Sequence, residues 1–409
     1  MAPGARRLGK VLKMPDINAI REMVPGVLDT VYLNTGTCGP LPRVAHEAVL
    51  EEISHDLTKA RIDGNHFPHI RELRDQVRKV VSGVIGADTS EVAITSSTTD
   101  GMYAAISGYR WRAGDELILS NIEHPGGLLP SFLAKRRYGI RVRVADIGLG
   151  GGDPAEIVQT FERLITPRTR MIVISHVSYT TGACLPVKEI VAMAHSYDVL
   201  VAVDAAQSYG ALHLDMHDLG VDFYACSGQK WMCGPDGTGA FYVRASSVGE
   251  IEQTLGSGGM VQGTLDYYGG SYAPSLGAQR FDTAGRNTAL LAGQAAATRW
   301  ILEDVGVEWA SKRVIDLGHK TYDQLAGLNG VTMVTPREAL AGLIAFNVVG
   351  IDAPDLSKRL AEESNVTIRF VAKYINNPDA ARVSVGFYNT EDDIAQLIDG
   401  IEKIQKTLD

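Results

Sequence analysis

Short apolar runs alternate with amphipathic stretches through the middle of the chain, from about residue 90 to residue 245. The runs are rich in Val and Ile, and their length is typical of buried strands rather than helices. Strands are predicted at 92–95, 115–120, 141–145, 171–176, 199–203, 222–226 and 239–243. Helices are predicted between them at 100–108, 127–137, 155–165 and 187–197. This alternation indicates an α/β unit with one mostly parallel, seven-stranded sheet and helices on both faces.

The remaining sequence surrounds this sheet unit. After the last predicted strand it divides into a glycine-rich irregular stretch, a helical stretch and a small α+β unit, at 246–288, 289–328 and 331–409. The final helix is predicted to begin at Thr390, with Asp393 completing a capping box. We expect an N-terminal segment that packs with the small domain, a large domain and a small C-terminal domain, at 1–44, 45–288 and 289–409.

Composition narrows the class of protein. The chain has 409 residues, of which 45% are hydrophobic and 21% charged, as in ordinary soluble globular proteins. The net charge of −9 argues against a nucleic-acid partner, and no apolar run approaches the roughly 18 residues of a membrane span. The basic N-terminus lacks the apolar stretch of a secretion signal. Four unclustered cysteines (Cys38, Cys184, Cys226 and Cys233) indicate reduced thiols in a cytoplasmic protein.

Two charged residues follow predicted strands and carry the candidate chemistry. Asp204 comes directly after 199–203, and Lys230 follows 222–226 by four residues. In such sheets, ligands bind outside the carboxyl ends of the strands. A lysine in a low-dielectric crevice has a lowered pKa and becomes a nucleophilic amine, suited to a Schiff base with an aldehyde. An aspartate beside it can keep a pyridine nitrogen protonated, so the pair suits pyridoxal 5'-phosphate.

The sequence around this pair resembles a known family. The runs DAAQ (204–207) and SGQKWMCGPDGTGAFYV (227–243) are similar to the cofactor motif of class V aminotransferase-fold enzymes. The likeness extends from Tyr32 to Thr390. That group includes cysteine desulfurases, cysteine and cystine C–S lyases, isopenicillin N epimerase-like proteins and kynureninase. The resemblance implies a fold type I enzyme with pyridoxal 5'-phosphate, working as a homodimer with shared active sites.

Further residues are assigned to the cofactor by this resemblance. A run of Ser and Thr at 95–99 precedes a predicted helix, and helix N-termini bind phosphate. The histidine after the strand at 115–120 matches one that stacks on the pyridine ring and relays protons. The segment 280–288 is expected to reach the partner subunit's phosphate. The implied cofactor-binding residues are Thr98, Thr99, His124, Asp204, Gln207, Ser227, Gln229, Lys230, Gly285 and Arg286, of which Lys230, His124 and Asp204 are catalytic.

An amino-acid substrate requires a partner for its carboxylate, and arginine offers a two-point contact. Arg382 matches the family's carboxylate-binding arginine, and Arg369 resembles a second arginine of lyase-like and epimerase-like members. Asn34, Thr37 and Cys38 are expected to close the substrate side, and Tyr179 is expected to line the pocket in a role that stays open. No metal is expected. The alternating residues His213, Asp215, His217 and Asp218 are interpreted as a solvated connection between strands.

The choice of reaction depends on one missing residue. Desulfurases attack the substrate sulfur with a cysteine on a loop that precedes the carboxylate-binding arginine. The corresponding stretch, 370–380, contains no cysteine. The sequence therefore predicts a C–S β-lyase acting on cysteine, cystine or an S-substituted cysteine without a persulfide on the protein. Epimerase, desulfurase-like and aminotransferase activities stay open, and so does a catalytically inactive binding homologue.

Overall fold

The computed structural model describes residues 15–62, 64–255, 260–282, 285–372 and 379–408. Within these ranges the helices are α1 (Ile17–Met23), α2 (Arg43–His55), α3 (His66–Ile85), α4 (Thr98–Gly108), α5 (Pro125–Tyr138), α6 (Pro154–Glu162), α7 (Val187–His195), α8 (Met216–Leu219), α9 (Thr288–Arg299), α10 (Val307–Ala326), α11 (Ala353–Ser364) and α12 (Glu391–Gln405). The strands are β1 (Val31–Tyr32), β2 (Val92–Thr95), β3 (Glu116–Ser120), β4 (Arg141–Ala145), β5 (Thr169–Ser175), β6 (Leu200–Asp204), β7 (Phe223–Ser227), β8 (Gly239–Val243), β9 (Val261–Asp266), β10 (Ser271–Pro274), β11 (Val331–Met333), β12 (Leu343–Val348), β13 (Val366–Thr367), β14 (Arg369–Val371) and β15 (Ala380–Ser384).

Several stretches with sequence-based predictions lie outside these ranges. They are the basic N-terminus, the glycine run 256–259, Thr283 with Ala284, and 373–378 of the stretch that lacks cysteine. The division into domains stays a prediction.

The predicted seven-stranded sheet is confirmed, with the order β2-β8-β7-β6-β5-β3-β4. β8 runs antiparallel to both of its neighbours, and the other six strands are parallel to one another. The strand bounds lie within two residues of those expected. The carboxyl ends of the six parallel strands therefore meet at one edge, where the candidate residues after β6 and β7 come together.

Both faces of this sheet are covered, because alternate side chains of each strand enter different cores. Ile118 of β3 packs in one hydrophobic core, and its neighbours Leu117 and Leu119 pack in the other. Helices α3, α6 and α7 contribute to the first core, whereas α4 and α5 contribute to the second. Burial on both faces explains why these strands appear in the sequence as continuous apolar runs.

A second, four-stranded antiparallel sheet has the order β11-β12-β15-β14 and packs against α10, α11 and α12. The N-terminal strand β1 pairs in parallel with β13, so the start of the chain is joined to this unit. Thr390 and Asp393 form the predicted capping box at the start of α12. Because β14 and β15 are neighbours, Arg369 lies directly opposite Arg382.

The glycine-rich stretch after β8 is less irregular than expected. Strands β9 and β10 form an antiparallel hairpin there. Its side chains are largely exposed, including Tyr267, Tyr268 and Tyr272. A strand pattern is recognised from alternating buried and exposed positions. A hairpin exposed on both faces lacks that alternation, which is why the sequence did not reveal it.

Candidate active site

Two of the three predicted catalytic residues, Lys230 and His124, line one cavity at the carboxyl edge of the large sheet, and Asp204 lies close to both. The volume of the cavity is about 350 Å³. The cavity is lined by Gly36, Thr37, His124, Tyr179, Gln207, Lys230, Arg369, Phe370, Val371, Ala372 and Arg382. These residues come from the N-terminal segment, the ends of large-sheet strands and the small sheet. The cavity therefore lies between the two parts of the molecule.

Lys230 sits in a tight turn after β7. The turn is closed by hydrogen bonds from Gly234 N–H to Gly228 O (2.8 Å) and from Cys233 N–H to Lys230 O (2.9 Å). Burial lowers the pKa of Lys230 to about 8, with Asp204 opposing the shift and Arg382 adding to it. About one in ten such amines is neutral at pH 7, compared with fewer than one in a thousand for an ordinary lysine. The turn thus holds a reactive amine.

The floor of the site is a buried carboxylate at the end of β6. Asp204 is 3% exposed, and its Oδ1 accepts a hydrogen bond from Ala206 N–H at 2.9 Å. Behind it lies a second acid, Glu123, which is fully buried and accepts hydrogen bonds from Ser120 and Ser175. Burial raises the pKa of Glu123 to about 7, and the nearby charge of Asp204 adds to the shift. A second buried carboxyl group therefore lies close to Asp204.

His124 caps the N-terminus of α5 and points into the cavity. Its Nδ1 accepts a hydrogen bond from Gly126 N–H at 3.0 Å, which assigns the proton of the neutral ring to Nε2. Burial lowers its pKa, although Asp204 opposes this shift. A Cβ on Gly126 would lie 3.1 Å from both His124 Nδ1 and Thr99 Oγ1, and 3.7 Å from Asp204 Oδ2. Gly126 therefore keeps open a space bordered by three predicted site residues.

Buried hydroxyls without partners lie beyond the lining of this cavity, at the start of α4 and the end of β7. Thr98 Oγ1, at the start of α4, forms no hydrogen bond, and neither does Ser227 Oγ at the end of β7. The side-chain oxygens of Thr95 and Gln229 are also buried without a partner. Buried polar atoms are nearly always hydrogen-bonded, so a group of orphans indicates a missing ligand. Hydroxyls at a helix N-terminus suit a phosphate.

Arg286, in the segment before α9, lies beside Thr95 and Ser96. Its guanidinium donates a hydrogen bond to Ser96 Oγ of the same chain. Nearby, Asp282 pairs with Arg78 and accepts a hydrogen bond from Ile94 N–H at 2.8 Å, which ties the segment to β2. The resemblance implies a contact of this segment with the partner subunit's phosphate, and that contact stays a prediction. Gly285 precedes it with a positive φ of 71°.

Arg382 forms the substrate wall together with two residues far away in sequence. It donates to Thr37 Oγ1 (2.8 Å) and to the carbonyl oxygen of Tyr179 (3.1 Å). Its Nε is buried without a partner. Burial and the neighbouring charge of Arg369 lower the pKa of Arg382 to about 10. A buried cation that lacks an anion is a suitable partner for a carboxylate.

The remaining predicted substrate residues differ in position. Arg369 lines the mouth of the cavity and is exposed, and the ring of Tyr179 stands edge-on to His124 with centroids 4.8 Å apart. Asn34 does not line the cavity as described; it is buried, and its backbone oxygen accepts from Thr37 N–H. Direct contact of Asn34 with the substrate stays a prediction. It supports the turn that presents Thr37.

Two supporting residues were missed by sequence reasoning. Trp231 donates from its indole N–H to Gln207 Oε1 at 2.9 Å, and Gln207 in turn donates to Gly36 O at 2.9 Å. These bonds fix the orientation of the amide that faces the cavity. Glu123 was the other omission. Its position beside His124 was a signal, but its contact with Ser175 depends on the pairing of separate strands.

The alternating residues of the connection at 213–218 do not assemble into a single group. His217 pairs with Glu91 at 2.8 Å, and Asp218 pairs with Lys188 on α7. Asp215 caps α8 by accepting from His217 N–H and Asp218 N–H at 3.0 Å. These contacts account for three of the four residues by local pairing.

Comparison with known proteins identifies the family. The model of the aminotransferase class-V family matches residues 31–397. The chain therefore belongs to the class V aminotransferase family. It is 28% identical over 399 residues to a probable cysteine desulfurase of Methanothermobacter thermautotrophicus, covering 94% of this chain and 97% of that protein. It is also 29% identical over 385 residues to isopenicillin N epimerase of Streptomyces clavuligerus, covering 91% and 94%.

Solved structures give the same result. A mutant of C-DES with glycine covalently linked to its PLP cofactor superposes with a TM-score of 0.86 at 28% identity, covering 94% of this chain and 98% of that one. The cystine C–S lyase C-DES in complex with its product cysteine persulfide has a TM-score of 0.85 at 28% identity, covering 92% and 98%. The predicted family, fold type, cofactor and pyridoxal-phosphate-dependent lyase class are confirmed. The roles of individual residues stay predictions.

The residues fit this cofactor. The unpartnered hydroxyls of Thr98 and Ser227 suit its phosphate, the carboxylate of Asp204 suits its ring nitrogen, and Lys230 suits its aldehyde. The amide of Gln207, which lines the cavity, suits its phenolic oxygen. No helix in the described part of the chain has the length and apolar character needed to cross a bilayer.

Proposed function

We propose that this protein is a C–S β-lyase that acts on cysteine, cystine or an S-substituted cysteine and carries no persulfide itself. The observation behind this proposal is the placement of the thiols relative to Lys230. The chain has four cysteines, and none of them is among the described residues that line the cavity. A desulfurase requires a thiolate that reaches the substrate sulfur.

The thiols are also poorly prepared for attack. Burial raises the pKa of Cys184 to about 11 and that of Cys233 to about 12, and it raises the pKa of Cys226 further. Cys38 is nearest to the site, but burial and Asp236 raise its pKa. Its Sγ lies 4.0 Å from Asp236 Oδ1. Since the thiolate is the nucleophile, these settings favour a reaction that does not use a protein thiol.

Each polar group then has a defined task. When bound, the cofactor supplies an electron sink that stabilises negative charge at the substrate Cα. The fork of Arg382 orients the substrate carboxylate, and Asp204 keeps the sink effective by holding a proton on the ring nitrogen. Lys230 would remove the substrate α-proton with its neutral Nζ. His124 donates its Nε2 proton to the leaving sulfur.

The products follow from this elimination. The Cα–H and Cβ–S bonds break and the sulfur leaves as a thiol, so the carbon fragment loses one hydrogen and the sulfur group. Hydrolysis of that fragment releases pyruvate and ammonia. With cystine the leaving group is cysteine persulfide, the product named in the similar C-DES complex. The sulfur thus leaves on a small molecule.

A substrate panel tests the proposal. The purified enzyme is incubated with cysteine, cystine and S-alkyl cysteines while pyruvate, sulfide and small-molecule persulfide are assayed. We expect one pyruvate per C–S bond broken, and unchanged turnover when each cysteine is replaced by serine in turn. Release of alanine with a persulfide on Cys38, and loss of activity in Cys38→Ser, would contradict the proposal.

The second candidate is an amino-acid epimerase. It is favoured by the similarity to isopenicillin N epimerase and by the two facing arginines of the cavity, which could hold a substrate with two carboxylates. Removal and return of the α-proton uses the same lysine. In D2O an epimerase would exchange the α-proton and invert Cα without forming pyruvate, which separates the two reactions in one assay.

A homodimer and a cytoplasmic location accompany this proposal. The exposed tyrosines of the β9–β10 hairpin offer apolar surface for a second copy of the chain. Sedimentation of the cofactor-loaded enzyme tests the dimer directly, and a monomer with full activity would refute shared sites.

A further inference from the structure

A second group of chemically capable side chains lies outside the catalytic cavity, where the end of α2 meets the start of α3. Glu52 and His55 are three residues apart on α2 and therefore share a face of the helix. His69 faces them from the first turns of α3. One ligand atom from each of the three residues lies within 4.8 Å of the other two.

These side chains are packed rather than dispersed in solvent. Glu52 is 5% exposed, and its two oxygens lie 2.8 and 3.0 Å from His69 Nε2. The rings of His55 and His69 meet at an angle of 60°, with centroids 4.7 Å apart. His55 Nδ1 is buried and forms no hydrogen bond. A buried ring nitrogen without a partner, on an imidazole that packs against a second imidazole and lies near a buried carboxylate, indicates a bound group.

Two further side chains with atoms able to bind a metal ion lie nearby. Asp56 Oδ1 and His66 Nδ1 are also buried without hydrogen-bond partners. His55 and His66 both act electrostatically on the Asp56 carboxylate, so these side chains lie close together. The backbone at this point leaves α2 through a π-helical turn, Asp56–Ala60. Such turns occur frequently at functional sites.

We propose that Glu52, His55 and His69 bind a divalent transition metal ion such as Zn²⁺. Two imidazoles and one carboxylate form a known zinc ligand set, with a fourth position open to water. Zinc–ligand distances of about 2.1 Å place tetrahedral donors about 3.4 Å apart, so the ligand atoms, which now lie within 4.8 Å of one another, would move closer together on binding. The ion would replace the hydrogen bond between Glu52 and His69.

This site departs from the expectation that the protein holds no metal. Its ligands lie on two helices, and no compact motif joins them in the sequence. The ion would clamp α2 to α3, a role separate from the proposed reaction at Lys230.

Calorimetric titration of the chelator-treated, cofactor-loaded enzyme with ZnCl₂ tests the proposal. We expect one ion per chain in the wild type. His55→Ala and His69→Ala should each weaken binding by more than about 100-fold, because even outer partners of a metal ligand contribute 10–100-fold. His46→Ala is the matched control, since His46 lies on the same helix and is exposed. It should bind as the wild type does.

Unfolding temperature supplies a second readout. Because an ion that binds only the folded state stabilises it, Zn²⁺ should raise the unfolding temperature of the wild type and His46→Ala but not of His55→Ala. Circular dichroism and cofactor absorbance establish whether each variant is folded. Removal of His69 leaves the buried Glu52 without its partner, and this loss can prevent folding of His69→Ala. In that case the binding result for His55→Ala decides the test. Wild-type binding weaker than about 0.1 mM, or unchanged binding by His55→Ala, would overturn the site.

Discussion

The two sides of the catalytic cavity are built in different ways. The cofactor side consists of residues at the ends of neighbouring strands: Asp204 ends β6, Ser227 ends β7, and Lys230 follows within three residues. The substrate side joins Thr37, Tyr179 and Arg382, which come from three distant parts of the chain and meet through hydrogen bonds. The cofactor side is formed by a single edge of the large sheet. The substrate side forms only when the part of the molecule that contains the small sheet packs against the large sheet.

This difference separates the chemistry from the specificity. The strand ends hold charged groups in fixed, buried positions, which suits steps common to many pyridoxal-phosphate enzymes. The assembled wall includes the exposed Arg369 on a three-residue strand. Changes there alter which amino acid binds without altering the reactive groups. Mutations on the cofactor side should therefore reduce kcat, and those on the substrate side should raise KM.

Lys230→Ala is expected to have the largest effect. It removes both the amine that anchors the cofactor and the base, so kcat should fall by more than about 10⁴-fold. Borohydride reduction followed by peptide mapping should find no cofactor-modified lysine in the variant. A modified lysine elsewhere in a folded variant would show that Lys230 was assigned incorrectly.

Asp204→Ala should follow, with a loss of about 10²–10³-fold in kcat and little change in KM. The carboxylate stabilises charge that develops on the ring during proton removal. Steady-state kinetics at saturating cofactor measure this effect, and Asp204→Glu serves as the charge-retaining control. Turnover close to that of the wild type with cofactor bound would remove Asp204 from the mechanism.

Arg382→Lys probes the assembled wall. Lysine keeps the charge but loses the planar fork, and a hydrogen bond to a charged group contributes about 1.5–3 kcal/mol. KM should rise by roughly 10–150-fold, while kcat changes less. If kcat falls instead and KM is constant, the two sides of the cavity are not functionally separate. A normal KM would transfer the carboxylate contact to Arg369.

Arg286→Ala should weaken cofactor binding by about tenfold, the value of one charged hydrogen bond. A mixed dimer with Arg286→Ala on one chain and Lys230→Ala on the other locates the contact. The observed bond to Ser96 within one chain predicts that both sites are impaired at limiting cofactor. Survival of about half the activity would instead support a contact across the dimer.

Glu123→Gln gives the smallest and most specific effect, on stability rather than turnover. The folded-state pKa of Glu123 is raised from 4.5 to about 7. The folded state therefore retains a proton that the unfolded chain releases, and stability falls as the pH rises from about 5 to 7. Glu123→Gln should remove this pH dependence, which amounts to a change in the free energy of unfolding on the order of 1–3 kcal/mol. Urea unfolding of the cofactor-free enzyme at pH 5 and pH 8 checks this, and identical pH dependence in the variant would contradict it.

The chain order of apolar runs was enough to predict the large sheet, since each strand is buried on both faces and carries its signal locally. Asp204 and Lys230 could be predicted for a related reason. Their positions after strands place them at one edge whichever order the strands take. The hairpin β9–β10 could not be predicted, because strands exposed on both faces do not alternate between apolar and polar residues.

The sequence by itself determined the family and the cofactor, and it pointed to Lys230 and Asp204, because these depend on residues adjacent in the chain. Tertiary structure alone decided that Arg382 meets Thr37 and Tyr179, that Glu123 lies near Asp204, and that Asn34 is buried beside the turn that presents Thr37. It also brought Glu52, His55 and His69 together from two helices. Such contacts depend on the packing of distant segments, and no local pattern of residues encodes the distance between them.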